Sequence, residues 1–344
     1  MGGRNGDFRV DLNKRGLDPE ILQQYSFEVQ GVKQLRKSVF KLVTNSGIKA
    51  LKGVQYPIGE LLFMVSAMEH LLSRGFSKLA RIVRTKAGLP FVPQGGSYYF
   101  VTEWISGRES NYDLERDLQA TVKTMAELHQ ASRGLQLLPG SYLKTELGRW
   151  PENFHRRGEQ LLEFAWEAKR KQEKTTFDRM YLRAIDEFYQ EAQVAQSALA
   201  GTAYWELVRL AQQECGFCHH DFAYHNVIIQ NGQGFLIDFD YCLCDMRIHD
   251  LTSLLIRNMK KYNWDIFVAE KIIKFYHQQY PLLSKEFPVM LAFMKFPQDF
   301  WQAAWTYYRE DIGRTEKESL SRLERAIKLN YERQIFLTAF ASLV

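Results

Sequence analysis

The sequence predicts an α+β fold in two lobes: a small antiparallel N-terminal sheet carrying one main helix, then a large, mostly helical C-terminal lobe. Three observations predict it. The first hundred residues read strand, strand, strand, helix, strand, strand, with period-2 alternation around one period-3.6 stripe. From residue 113 onward most of the chain carries helical periodicity. One island of short strands, "CHHDFAYHNVIIQNGQGFLIDFDYC" at 218–242, interrupts that helical half with three His, three Asp and two Asn. The expected division is 1–104 for the first lobe and 105–344 for the second, with a helical insert at about 134–213.

Each element has a local cause. "DPEILQQY" at 18–25 opens a short helix with Asp18 as N-cap and Pro19 at the first helical position. In 39–54, Val39, Lys41 and Val43 alternate with Phe40, Leu42 and Thr44; "TNSG" turns the chain and "IKALKGV" returns, an antiparallel hairpin. "FEVQGV" before it reads as a further strand joined by a tight loop at Gly31. Residues 56–75 carry a helical stripe of Leu61, Leu62, Val65, Met68 and Leu72, ended by Gly75. Strands follow near 80–85 and 97–105, with "LPFVPQGG" between them. Residues 113–132, 151–213 and 250 to the end read as helices. The charges of "AWEAKRKQEK" sit beside Leu161, Leu162, Phe164 and Ala165, so they form a solvated helix face.

Composition excludes several classes. With 46% hydrophobic and 25% charged residues the chain is of ordinary globular type. The net charge of +5 is mild, with basic residues interleaved among acids, which disfavours nucleic acid as a partner. No apolar run approaches the roughly 18 residues of a membrane span. "MGGRNGDFRV" has no apolar segment for a signal peptide and no hydroxyl residue at position six for myristoylation, so cytoplasmic synthesis is expected. Cys215, Cys218, Cys242 and Cys244 are not a disulfide framework in such a chain. Their CxxC and CxC spacing raises zinc; their place in strand-like segments equally suits small buried apolar residues.

The polar island has the parts that phosphoryl transfer requires. That reaction needs its phosphates and Mg²⁺ held and the acceptor hydroxyl set beside a carboxylate. In His219-x-Asp221-x₄-Asn226, Asp221 is suited to act as base and Asn226 offers a carbonyl oxygen to a hard cation. Val227–Ile229 form a strand, "NGQG" turns, and Phe235–Ile237 return, so an ordinary hairpin delivers Asp238 beside Asn226.

"HHDFAYHN", then a short hairpin and "IDFD", resembles the catalytic and metal loops of the aminoglycoside phosphotransferase and choline kinase family, small-molecule kinases with a protein-kinase-like fold. The resemblance covers most of the chain. It implies ATP and Mg²⁺ as cofactors, Asp221 as catalytic base, Asn226 and Asp238 as metal ligands, and His219 as a brace of the catalytic loop. Asp250, in "HDL", matches the acid that steadies that loop from a helix start. The family often has Gly where this chain has His220. The resemblance also implies a phosphate-binding lysine on the third strand. Lys52 is its candidate; Lys49, three residues away and on the opposite face, is expected at the surface. Glu60 and Glu69 are alternative helix partners for that lysine. The loop "VQGVKQLRKSVF" has one glycine, leaving Lys33, Arg36, Lys37 and Ser38 as phosphate contacts, and "VTEWISG" matches the connector whose backbone from Glu103 to Ile105 holds adenine.

The acceptor is an unidentified hydroxyl compound. Trp150, Phe154, Trp166, Trp205, Phe300, Trp301, Trp305, Tyr307 and Tyr308 suit an aromatic cage or, more simply, helix packing; Glu310 and Asp311 are the acidic cluster that an aminoglycoside would want. "TNSGIKALKGV", "FMVSAMEHLLSRGF" and "FPQDFWQAAWTYY" resemble more closely the spore coat protein S family of endospore-forming bacilli, which includes the coat protein I type. That resemblance implies a place in the spore coat, with other coat proteins as partners. It also raises an alternative: a structural coat component with a kinase-like fold and little or no turnover.

Overall fold

The computed structural model describes residues 17–309 and 315–343. Glu310 and Asp311 lie outside the described residues. The chain forms two compact units. Of the described residues, one comprises Leu17–Thr124, Leu135–Lys144 and Ala223–Cys242; the other comprises Met125–Gly134, Thr145–Phe222 and those from Leu243 onward.

In the first unit, α1 (Pro19–Gln23) starts where the Asp18 carboxylate accepts the Glu20 N–H. Strands β1 (Val29–Arg36), β2 (Val39–Thr44) and β3 (Gly47–Val54) form an antiparallel meander. Gly31 is not a loop: it lies inside β1 at a register shift against Val43, and the chain reverses instead at Lys37–Ser38. A glycine in a strand suits such a bulge, because it has no side chain to clash where the ladder breaks. Helix α2 (Ile58–Ser73) buries Leu61, Val65, Met68 and Leu71, and Gly75 ends it at φ 84°. Strands β4 (Ile82–Val83), β5 (Val92–Gln94) and β6 (Ser97–Glu103) complete the sheet in the order β1-β2-β3-β6-β4, with β5 also on β6. Its core joins Leu17, Ile21 and Tyr25 to Phe40, Leu42, Leu51 and Val101. A second sheet pairs β7 (Arg108–Glu109), β8 (Val227–Gln230) and β9 (Gln233–Leu236), all antiparallel. Asn231 and Gly232 make the β8–β9 turn with φ 50° and 74°, the left-handed pair that a tight hairpin demands.

Helix α3 (Glu115–Ala131) belongs partly to each unit. The second unit is otherwise helical: α4 (Trp150–Arg170), α5 (Thr176–Ala200), α6 (Tyr204–Glu214), α7 (Ile248–Met259), α8 (Ile266–Gln279), α9 (Glu286–Lys295), α10 (Gln298–Arg309), α11 (Glu316–Lys328) and α12 (Asn330–Ala341). Aromatics staple these helices: Phe188 stacks on Phe300 at 4.0 Å and Phe177 on Tyr307 at 4.0 Å. Most of the aromatics singled out in the sequence serve this packing, but Trp166 and Trp205 are exposed. Among the described residues no helix is long and apolar enough to cross a membrane.

Candidate functional site

The first unit holds a cavity of about 450 Å³. Val39, Ala50, Met64, Met68, Phe100 and Ile228 give it apolar walls, and Lys52, Asn226, Asp238 and Asp240 line it as well. Strand β3 places Lys52 there by its two-residue alternation. Lys52 Nζ lies 2.6 Å from Asp238 Oδ1 and 2.6 Å from Asp240 Oδ2. Burial works against the Lys52 charge, but the two carboxylates prevail and raise its pKa.

Lys49 is not at the surface as expected. Its side chain is 4% exposed and its Nζ is 2.8 Å from Glu103 Oε1, with the Phe27 ring 5.6 Å away. The reason is the register: Lys49 pairs with Glu103 across β3 and β6, so the opposite face of β3 is also covered.

The β8–β9 hairpin brings the expected metal ligands to one place. The Asn226 main-chain carbonyl accepts the Ile237 N–H at 3.1 Å, and both Asn226 and Asp238 line the cavity. Asp238 has a left-handed backbone, φ 65° and ψ 69°, costly for a residue other than glycine. Asp240 is the site residue that motif reading passed over, although it is the second acid of "IDFD". Burial raises its pKa; Lys52 opposes and the Asp238 charge reinforces that rise. Its Oδ1 is buried with no hydrogen-bond partner. Two carboxylates share one ammonium here, one oxygen is orphaned, and an amide-bearing Asn is adjacent. That oxygen-rich, negatively biased donor set fits a hard divalent cation.

The remaining expected nucleotide contacts divide. Glu103 and Ile105 line the cavity. The Glu103 N–H is committed to the Arg81 carbonyl and the Trp104 N–H to Ile48, whereas Ile105 makes no backbone hydrogen bond among the described residues. Arg36 lines the cavity; Ser38 is not among its lining residues, and its carbonyl accepts the Gly53 N–H at 2.8 Å. Neither α2 glutamate is an ion-pair partner of Lys52: Glu69 pairs with Arg84, and Glu60 lies 3.6 Å from Lys144 Nζ. Lys144 also donates to the Asp240 carbonyl at 2.9 Å.

In the helical unit, the residues before Asn226 are pinned by Asp250, buried in the first turn of α7. Its carboxylate accepts the N–H of His219 at 2.8 Å and of His220 at 2.9 Å, and lies 3.2 Å from His129 Nε2. Burial would raise the Asp250 pKa, yet the His129 contact and the neighbouring imidazoles hold it well below the usual carboxylate range. His219 is fully buried, and its Nδ1 accepts the Asp221 N–H at 3.3 Å. Asp221 Oδ1 lies 3.1 Å from Arg257 on α7. His220 has φ 66°, which explains why glycine suits that position; its ring stacks on His249 at 3.8 Å and its Nε2 is 3.1 Å from Asp245. One ligand atom each of His220, Asp245 and His249 lies within 4.8 Å of the others, a candidate cation site beside the loop that the stacking also braces. Cys215, Cys218, Cys242 and Cys244 are all free thiols, and all but Cys215 are buried.

Comparison with known proteins adds family and fold. The profile of the phosphotransferase enzyme family matches residues 37–284. Spore coat protein S of Bacillus subtilis strain 168 is 25% identical over 294 residues, covering 84% of this chain and 83% of that protein. Among solved structures, an aminoglycoside phosphotransferase from Alicyclobacillus acidocaldarius superimposes with a TM-score of 0.82 at 24% identity, covering 95% of this chain and 96% of that one. The amicoumacin kinase hAmiN, solved with AMP-PNP, Ca²⁺ and Ami, gives 0.60 at 17% identity and covers 98% of each chain. The small antiparallel sheet with a larger helical part is therefore a kinase-like fold.

Proposed function

The chain belongs to the phosphotransferase enzyme family; from that premise we propose that it transfers the γ-phosphoryl group of ATP, with Mg²⁺, to a hydroxyl of a small acceptor, and that it acts in the spore coat. One observation carries the chemistry: Lys52, Asn226, Asp238 and Asp240 line one cavity together with the open backbone of Ile105. The coat location rests on the likeness to spore coat protein S.

Lys52 holds the phosphates, and the Ile105 backbone takes the adenine edge. Asn226, Asp238 and Asp240 hold the cation, which neutralises phosphate charge when bound. Asp221 takes the acceptor proton as the acceptor oxygen bonds to the γ-phosphorus and the bond to the β-phosphate oxygen breaks, releasing ADP. Asp250 and His219 keep the loop bearing Asp221 in shape by holding its N–H groups.

A second reading is a structural coat component with little or no turnover. It draws on the same coat relative and on Lys52 being held by two carboxylates rather than by a glutamate of α2. Thermal unfolding with Mg-ATP separates the two. A ligand that binds only the native state at 100 times its Kd adds about 2.7 kcal/mol. A melting temperature that rises with Mg-ATP in the wild type but not in Lys52→Ala supports the phosphotransferase; no rise at millimolar nucleotide supports the scaffold.

A further inference from the structure

The helical unit contains another cavity, of about 320 Å³, separate from the lining assigned to the nucleotide and cation. Its size is within the roughly 300–1,000 Å³ of small-molecule sites. Its floor is apolar and buried, made by Met294, Phe296 and Phe300. Such a floor accepts a flat hydrocarbon body.

The polar groups of the lining are mostly donors. Lys260 and Asp299 pair with each other at 2.8 Å and so cancel. Arg325 spends one N–H on the Lys260 carbonyl at 3.0 Å, and Arg322 makes no ion pair among the described residues. Trp264 also lines the cavity. It is 5% exposed, and its indole Nε1 is buried without any acceptor. Trp264 has φ 60°, a backbone state that bulky side chains rarely adopt, so its placement runs against local preference. A buried N–H lacking an acceptor is costly, and the cost disappears when a ligand supplies an oxygen.

We propose that this cavity is a binding site for a small anionic molecule with a flat apolar body, such as an aryl carboxylate, sulfonate or phosphate ester. The ring lies on the phenylalanine floor, and the anionic oxygens take the Trp264 N–H and the Arg322 guanidinium, whose planar fork matches such groups. The inference stands independently of the nucleotide cavity, which belongs to the other unit.

The test is calorimetric titration of the full chain with 1-naphthyl phosphate, using uncharged 1-naphthol as the charge control. Saturable binding is expected at sub-millimolar concentration, weakened by about tenfold or more for naphthol and in Arg322→Ala. Gln302→Trp, which fills the cavity from its partly exposed wall, abolishes it in a protein that still unfolds cooperatively. Lys52→Ala leaves it unchanged even if it removes nucleotide binding, so failure of the phosphotransferase reading does not touch this result. No saturable heat at millimolar probe, equal affinity for naphthol, an unaffected Arg322→Ala, or loss in Lys52→Ala overturns the proposal.

Discussion

Lys52 and Asp238 form a 2.6 Å contact across 186 residues of sequence, and Asp240 meets the same ammonium. Replacing Lys52 by Met leaves two partly buried carboxylates facing each other. The variant is expected to lose about 1–3 kcal/mol of stability, the usual cost of orphaning a buried polar partner. Adding Asp240→Asn should recover part of that loss, because the repulsion then disappears. Denaturant unfolding of the single and double variants measures both; a Lys52→Met protein as stable as wild type removes the ion pair from the account.

Asp221→Asn should lower phosphoryl transfer by roughly 10²–10⁴-fold, the range for a lost general base. Its contact with Arg257 involves two partly exposed groups, so stability should change by no more than about 1 kcal/mol. Transfer assays with labelled ATP over an acceptor panel, run beside thermal unfolding, give the two readings. Full transfer in the variant rules out Asp221 as the base.

Glu103 and Lys49 should respond unequally. Glu103→Ala leaves the Lys49 ammonium buried without its carboxylate and should cost about 1–3 kcal/mol. Lys49→Met fills similar space without a charge and should cost less, since apolar replacement of a buried ion pair is often neutral. Neither should alter Mg-ATP affinity appreciably, because adenine is assigned to the Ile105 backbone and not to either of these side chains. The reverse order of stabilities contradicts the pairing.

Gly107 is a glycine for steric reasons. A Cβ there would stand 2.5 Å from the Ile229 carbonyl oxygen, which is backbone and cannot rotate aside. Gly107→Ala should cost about 1–3 kcal/mol, like other overpacking substitutions. Because Gly107 also lines the cavity proposed for the nucleotide, Mg-ATP binding should weaken with it. A variant that melts with the wild type shows that the β7–β8 approach relaxes freely.

The Asp250 cluster sets a pH window for stability. The depressed Asp250 pKa contributes stability that is present above its unfolded value, about 3.9, and is lost as pH falls through the lower folded value. Burial opposes the His249 charge, but Asp250, 3.6 Å away, and Asp245 raise its pKa. That contribution is complete below about 6.5 and is lost as pH rises through the higher folded value. The melting temperature should therefore peak between about pH 4 and 6.5. Asp250→Asn should flatten the acid limb and cost about 3–5 kcal/mol, as removing one partner of a buried pair does. Melting curves across pH for both proteins decide it.

The sequence by itself determined the first three-strand run and the helix after it, the helical character of the second half, and the β8–β9 hairpin that sets Asn226 and Asp238 on one cavity; the short strands β5 and β7 were not legible in it. The legible features follow from periodicity and turn chemistry among neighbouring residues, and Asn231–Gly232 closes the hairpin whatever surrounds it. Only the tertiary structure decided which carboxylates hold Lys52, that Lys49 is buried, that Gly31 is a bulge and that Glu60 and Glu69 face other cations. Each of these depends on which surface covers a given face of a strand or helix. A face is covered by residues far away in the chain, and local periodicity carries no record of which ones arrive.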